Sequence, residues 1–258
     1  MKKTPMFSHI QNQLNRIENE HNVEILYAVE SGSRGWGFFN YESDYDIRFL
    51  FKRPLNDYLT INPPKDTIDY FEGNLDFVGW DIKKALFLHR KSNPNLREWI
   101  KQKKVYRGDC DFLKDLPPFN PVTLKHHYAS IAYNNWKRYV RGNELKMTKK
   151  STKIYLYCIR CIFTWILIDD GVDAPLEISE LMKLCSKKID VTLYKDIELL
   201  IKYYQSNCSE NILNIDSIEN LVDFITEKIK MMKTNEDNSK ELPDAEIYNE
   251  RFRKIIMP

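Results

Sequence analysis

Two apolar runs, Ile25-Leu26-Tyr27-Ala28-Val29 and Ile47-Arg48-Phe49-Leu50-Phe51, bracket a segment that opens on Gly32-Ser33 and closes on Asp44-Tyr45-Asp46. Both runs read as strands, so a Gly-Ser turn joins them and the second strand begins with two acids at i and i+2. Strand side chains repeat every two residues, which puts Asp44 and Asp46 on one face. Neighbouring acids on one face repel each other unless a cation lies between them. Mg²⁺ suits such a place, because it is held by one or two carboxylates together with substrate phosphates. Glycine lets the backbone approach a ligand closely, and free amides beside a serine hydroxyl can hold phosphate oxygens. A phosphate cradle next to a metal-binding acid pair points to phosphoryl or nucleotidyl transfer.

Neither half of this pattern is telling alone. An isolated Asp-x-Asp is commonly a solvated strand end, and Gly-Ser after a strand is ordinary turn chemistry. The combination carries the weight: strand, Gly-Ser, Asp44 eleven residues beyond Ser33, then Asp-x-Asp opening a second apolar strand. Nothing in the sequence matches the Gly-x-x-x-x-Gly-Lys of a P-loop kinase. The five histidines show no spacing that would bind zinc, and His126-His127 reads as packing at a helix start. Cys158-x-x-Cys161 has no second pair or histidine partner at zinc spacing, and the cysteine count is odd at five. Buried reduced thiols in a cytoplasmic protein are the expectation. Charged residues make up 29% of the 258 but balance to a net charge of +2, so bulk charge does not announce a nucleic-acid binder. The longest apolar run, Cys158 to Ile168, contains Arg160 and is short of the roughly 20 residues that span a bilayer. It reads as a buried helix, with no membrane partner expected. The first residues lack the apolar core of a secretory signal.

The remaining chain divides into a mixed part and a helical part. Ile10, Leu14 and Ile17 predict a helix over 7–21. Leu75 to Trp80 reads as a third strand, and Asp81 to Arg90 as a helix with Asp81 at its N-cap. Between Arg53 and Phe71 the pattern loosens around Asn62-Pro63-Pro64. A short helix is expected from Leu96. Leu116-Pro117-Pro118-Phe119-Asn120-Pro121 is the clearest boundary. Beyond it, helical periods cover 123–141, 149–169, 176–187, 193–206 and 216–232. Residues 233–241 are polar throughout and predict a flexible linker before a closing helix over 245–256. The expected division is 1–118 catalytic, 119–232 helical, and 233–258 linker and short helix.

Gly32-Ser33 with Asp44-x-Asp46 resembles the motif of the polymerase-β nucleotidyltransferase superfamily. The longer string Gly-Ser-Arg-Gly-Trp-Gly-Phe…Ser-Asp-Tyr-Asp-Ile-Arg-Phe resembles one branch, the predicted nucleotidyltransferases of the RNA-ligase-associated type. Further matches are Gly79-Trp80-Asp81-Ile82-Lys83-Lys84-Ala85-Leu86, Lys91-Ser92-Asn93-Pro94-Asn95-Leu96-Arg97-Glu98-Trp99 and, more loosely, Lys153 to Arg160. The likeness spans about residues 25 to 185. Gly35 stands where the family pattern has alanine, and Arg97 interrupts an apolar pair. The resemblance implies an α+β fold: a polymerase-β-like core with a small mixed sheet and flanking helices, followed by an α-helical domain.

Nucleotidyl transfer attacks an α-phosphorus and expels pyrophosphate, and two cations can stabilise the attacking and leaving oxygens together. Two acids rarely hold two metals, so a third should come from a neighbouring strand. Asp76 and Asp81 both sit in a hydrophobic-acid-hydrophobic frame. The superfamily pattern favours Asp76, while Asp81 has a ready role as a helix cap. The third acid is also the natural general base. Asp44, Asp46 and Asp76 are thus the candidate metal ligands, for Mg²⁺ or else Mn²⁺, with Asp81 kept as a catalytic candidate. Gly32 and Ser33 should meet the β- and γ-phosphates, with Arg34 and Lys83 as nearby cations. Lys153, Tyr157 and Arg160 share a helix face at i, i+4 and i+7. A buried Arg160 needs an anionic partner, either the triphosphate or an acid of the protein. Lys137, Arg138, Arg141, Lys149 and Lys150, interleaved with Tyr133, Trp136 and Tyr139, could form a basic patch for an RNA strand or simply a solvated helix side. The resulting expectation is a Mg²⁺-dependent enzyme using an NTP, ATP first, with an RNA end as acceptor. AMP transfer to a protein hydroxyl and an inactive RNA-binding relative are the competitors.

Overall fold

The computed structural model describes residues 4–140, 148–206, 215–234 and 241–257. They form two compact units. The first comprises residues 1–35, 43–119 and 241–258, and the second residues 36–42 and 120–240.

The first unit is built on five strands. Helix α1 (Pro5–His21) leads into β1 (Glu24–Glu30), the five-residue helix α2 (Gly32–Trp36) and β2 (Tyr45–Lys52). Then come α3 (Leu55–Tyr58), β3 (Thr67–Glu72), β4 (Leu75–Asp81), α4 (Ile82–Arg90), α5 (Pro94–Lys101) and β5 (Val105–Gly108). The sheet order is β3-β4-β2-β1-β5. Only β2 and β4 run parallel; the other three pairings are antiparallel. This is the small mixed sheet that the resemblance implies.

Strand alternation divides the core into two layers. Ile47, Phe49 and Phe51 of β2 join Ile10, Leu14 and Ile17 of α1 on one face. Leu50 turns to the other face with Ile82, Ala85 and Leu86 of α4 and Trp99 of α5. Full burial of each such side chain contributes about 1.5–3 kcal/mol. Register is locked where Gly79 pairs with Phe49, since a Cβ there would meet the Phe49 ring at 2.1 Å. Asp46 and Arg48 share the face of Leu50, and the alternation that buries Ile47 and Phe49 is what aims them there.

Strands β3 and β5 and helix α2 were not legible in the sequence. β3 covers ground where the apolar pattern loosens, because it is an edge strand with Tyr70 and Phe71 only partly covered. The closing helix α11 (Ala245–Ile256) is not a detached tail. It belongs to the first unit, where the Tyr248 hydroxyl meets His89 Nδ1 at 3.1 Å and Phe252 packs edge-on to Tyr58. Lys233 and Thr234 of the expected linker are helical, and residues 235–240 lie outside those described.

Among the described residues the second unit is built on five helices: α6 (Pro121–Val140), α7 (Lys149–Asp169), α8 (Ile178–Cys185), α9 (Val191–Gln205) and α10 (Ile215–Thr234). By length and composition α7 could cross a membrane, yet 83% of its apolar window is buried inside the structure. It starts with a capping box, Thr148 accepting from the Ser151 amide while the Ser151 hydroxyl accepts from the Thr148 amide. Cys158, Cys161 and Cys185 are buried free thiols, and burial pushes the Cys158 and Cys185 thiols up, Cys185 to about 11. Cys208 lies outside the described residues.

Candidate active site

Asp46 and Asp76 are direct register partners across the parallel pair β2/β4. Their side chains therefore stand abreast on one face. Two carboxylates so placed repel, and the next residue on that face answers them. Arg48 Nη2 lies 2.9 Å from Asp46 Oδ1 and 2.9 Å from Asp76 Oδ2. Arg48 Nη1 also donates to the Asp76 carbonyl. The sequence reading missed Arg48, although it continues the i, i+2 series begun by Asp44 and Asp46. Asp44 is exposed one residue ahead of β2, and its carbonyl accepts from Arg34 Nε at 3.0 Å.

The glycine turn is a short helix packed against these acids. Gly32 has φ +56°, and a Cβ there would lie 1.9 Å from Asp46 Oδ2. Only glycine permits both the left-handed backbone and the approach. Ser33 follows it, buried, and the Ser31 amide donates to the Asp46 carbonyl at 2.7 Å. Arg34 is committed to holding the loop. Its Nε and Nη2 donate to the carbonyls of Ser43 and Asp44, and its guanidinium lies 3.8 Å from the Tyr45 ring centre. Lys104 in turn donates to the Arg34 carbonyl.

Beneath the pair lies a second group the sequence did not disclose. Glu30, the last residue of β1, accepts from the Asp46 amide at 3.0 Å and from the Tyr106 hydroxyl of β5. Burial pushes its carboxyl up to about 7, against those hydrogen bonds and the Arg34 charge. Tyr106 is raised as well, first by burial and then by Glu30. Glu30 thus ties β5 to β2 directly under Asp46.

Asp81 and Lys83 stand elsewhere. Asp81 pairs with Phe51, at the far end of β4 from Asp76. Its Oδ1 caps α4 by accepting from the Lys83 amide at 2.8 Å, and its Oδ2 accepts from the Tyr58 hydroxyl. Burial raises its carboxyl. The capping signal was readable, but the distance from Asp46 needed the strand register. Lys153, Tyr157 and Arg160 cluster in the second unit. The Arg160 guanidinium lies 3.9 Å from the Trp36 ring centre, Tyr157 packs edge-on to Trp36, and Lys153 Nζ lies 5.8 Å from the Tyr157 ring centre. Of the expected basic patch, Lys137 and also Lys233 of α10 flank the Tyr133 ring. Arg141 and the Tyr139 side chain lie outside the described residues.

A family model for RlaP, the RNA repair pathway DNA polymerase beta family, matches residues 6–254 of the chain. The chain belongs to this family. It is accordingly a polymerase-β-like nucleotidyltransferase, the superfamily that the resemblance named. Among curated relatives of the family member described here, the uncharacterized protein YcgL of Bacillus subtilis (strain 168) is 36% identical over 184 residues, 69% of each chain. Among solved structures, spectinomycin adenyltransferase AAD(9) from Enterococcus faecialis, crystallised with ATP and spectinomycin, is 15% identical. That match covers 85% of this chain and 97% of the other at a TM-score of 0.49. A nucleotidyltransferase-like protein from Exiguobacterium sibiricum 255-15 is 12% identical, covering 86% and 75%, at a TM-score of 0.35.

The donor set of this RlaP-family chain suits a hard divalent cation. Asp76 Oδ1 is buried without a hydrogen-bond partner, and Asp46 Oδ2 is backed by the only residue type small enough to leave it room. Carboxylate oxygens are what Mg²⁺ takes. Among the described residues no three His, Cys, Asp or Glu side chains surround one ion position ready-made. The Asp46 and Asp76 pair is bridged by the Arg48 guanidinium.

Proposed function

We propose that this protein transfers a nucleoside monophosphate from an NTP, ATP first, to a hydroxyl at an RNA end, with Mg²⁺ or Mn²⁺ held by Asp44, Asp46 and Asp76. The observation that carries the reading is the parallel register placing Asp76 beside Asp46, with Gly32 packed on the carboxylate. The bound cation supplies charge neutralisation for the reacting phosphates. The chain does the rest. Gly32 and Ser33 hold the β- and γ-phosphate oxygens. Asp76 Oδ1, lacking any other partner, takes the proton of the acceptor hydroxyl. The acceptor oxygen bonds to the α-phosphorus as the bond to the β-phosphate oxygen breaks, and pyrophosphate leaves. Arg48 neutralises the acid pair through its contacts with both carboxylates, a charge that a cation held there would take over.

Support for RNA as the acceptor comes from the family's description and from Tyr133, whose ring between Lys137 and Lys233 offers stacking beside phosphate-neutralising charge. A cytoplasmic setting fits the buried free cysteines. The test is incubation with each α-labelled NTP, Mg²⁺, and either a tRNA pool or a protein lysate. Label entering RNA is the expected result. Label entering polypeptide moves the acceptor to a protein hydroxyl, and no label in either overturns the reading.

A further inference from the structure

The same strand pair ends in a cavity that the transfer site does not use. Five residue steps along β2 separate Asp46 from Phe51, the partner of Asp81, which is about 17 Å of strand. Around Asp81 the first unit forms an open cavity of about 680 Å³, within the range of small-ligand sites. Tyr58, Phe87, Tyr248 and Phe252 make its walls, the last two supplied by α11. Five cations line it (Arg53, Lys65, Lys83, Lys84 and Arg90) against three acids, Asp57, Asp66 and Asp81.

Those charges are not all spent. Lys84 is paired with Asp66 at 2.9 Å, and Arg90 Nε donates to the Pro243 carbonyl. Asp81 is taken up by the Lys83 amide and Tyr58. Lys65 and Lys83 have no acid partner among the described residues. Arg53 is the telling group. Its side chain is 10% exposed, with Nη1 donating to the His21 carbonyl and Nη2 to the Lys65 carbonyl. Its Nε is buried with no acceptor, Asp81 Oδ2 being 4.0 Å away. A buried charged donor left unmade is costly, and an anionic ligand completes it. The volume exceeds what phosphate alone needs, and the aromatic walls suit a planar ring.

We propose that this cavity binds a nucleoside 5′-phosphate, free or as the 5′ end of an RNA, with its ring against Phe87 and Phe252 and its phosphate at Arg53, Lys65 and Lys83. This is independent of the transfer reading. The test uses the full chain carrying Asp46→Asn, in EDTA, so that divalent-dependent binding of substrate is removed. Calorimetric titrations compare AMP, a 5′-phosphorylated tetraribonucleotide, its unphosphorylated counterpart, adenosine and inorganic phosphate. The expected result is saturable one-to-one binding of AMP or the phosphorylated RNA, the tighter of the two naming the source. Adenosine, the unphosphorylated RNA and phosphate should each bind about tenfold or more weakly. Lys65→Glu with Lys83→Glu, both at the surface and checked for an unchanged melting curve, should weaken binding by at least about tenfold. Phe87→Ala, at a half-exposed wall position, should weaken AMP more than phosphate. Absence of saturable binding by either phosphorylated ligand overturns the proposal. So does binding that ignores the charge reversal but is lost in Ser33→Ala.

Discussion

The two ends of the β2/β4 pair carry the same kinds of group, aspartate carboxyls and an arginine, and put them to different uses. At one end Asp46 and Asp76 face the same side, roughly a quarter exposed, and share one guanidinium. At the other, Asp81 is buried, caps a helix, and keeps Arg53 at the 4.0 Å limit of ion pairing. Carboxylates placed abreast near water hold a mobile cation well. A single carboxylate already saturated by an amide and a tyrosine is a structural fastener. Residue type alone does not separate these roles; register and burial do.

The sharpest way to break the contrast is to neutralise each end in turn. Asp46→Asn or Asp76→Asn should reduce nucleotide transfer beyond the roughly 10–100-fold typical of outer-shell partners of a metal, with the melting temperature nearly unchanged. Asp81→Ala should do the reverse, costing about 1–2 kcal/mol of stability through the lost cap while transfer persists. Equal losses of transfer from the two ends, in steady-state assays with labelled NTP, would dissolve the distinction.

Next in size is Gly32→Ala. It demands a left-handed backbone from alanine, about 1–2 kcal/mol, and also drives a methyl into Asp46. Transfer should fall with stability, read by denaturant titration alongside activity. Arg48→Ala sharpens the comparison further. Without its guanidinium the acid pair should gain more thermal stabilisation from added Mg²⁺ than the native pair does. A smaller Mg²⁺-induced rise in melting temperature than in the native protein contradicts the counter-ion role.

Two buried groups give effects that appear only as the pH is changed, and of opposite sign. Glu30 is held near 7 rather than 4.5, so the folded state binds its proton more tightly. Its stabilising contribution is present below about 4.5 and is lost as pH rises through 7, at most on the order of 3 kcal/mol. His89, lowered by burial to about 4, contributes above 6.5 and loses that as pH falls through 4. Denaturation curves of Glu30→Gln should therefore lack the decline between pH 4.5 and 7. A His89→Gln variant should lack the rise between pH 4 and 6.5.

Much of the site was open to reading. Gly32-Ser33, Asp44-x-Asp46 and Asp76 lie in strong local patterns, because a glycine turn and strand alternation leave period-2 marks in any sequence. The helices of the second unit were readable within a few residues for the same reason, their 3.6-residue periods being local. Glu30 and Arg48 escaped because each looks like an ordinary strand charge until its partners arrive. The Tyr106 hydroxyl reaches Glu30 from 76 positions along the chain, and Asp76 reaches Arg48 from 28.

Local pattern alone settled which residues alternate, which cap, and where a glycine turn meets an acid-bearing strand, since those depend on neighbours within one turn or one pleat. The placing of Asp76, and not Asp81, beside Asp46 and the union of α11 with the first unit were decided by tertiary structure, and so was the guanidinium between two carboxylates. Each depends on strand register or on contacts between distant segments, and burial, desolvation and ion pairing exist only once those segments meet.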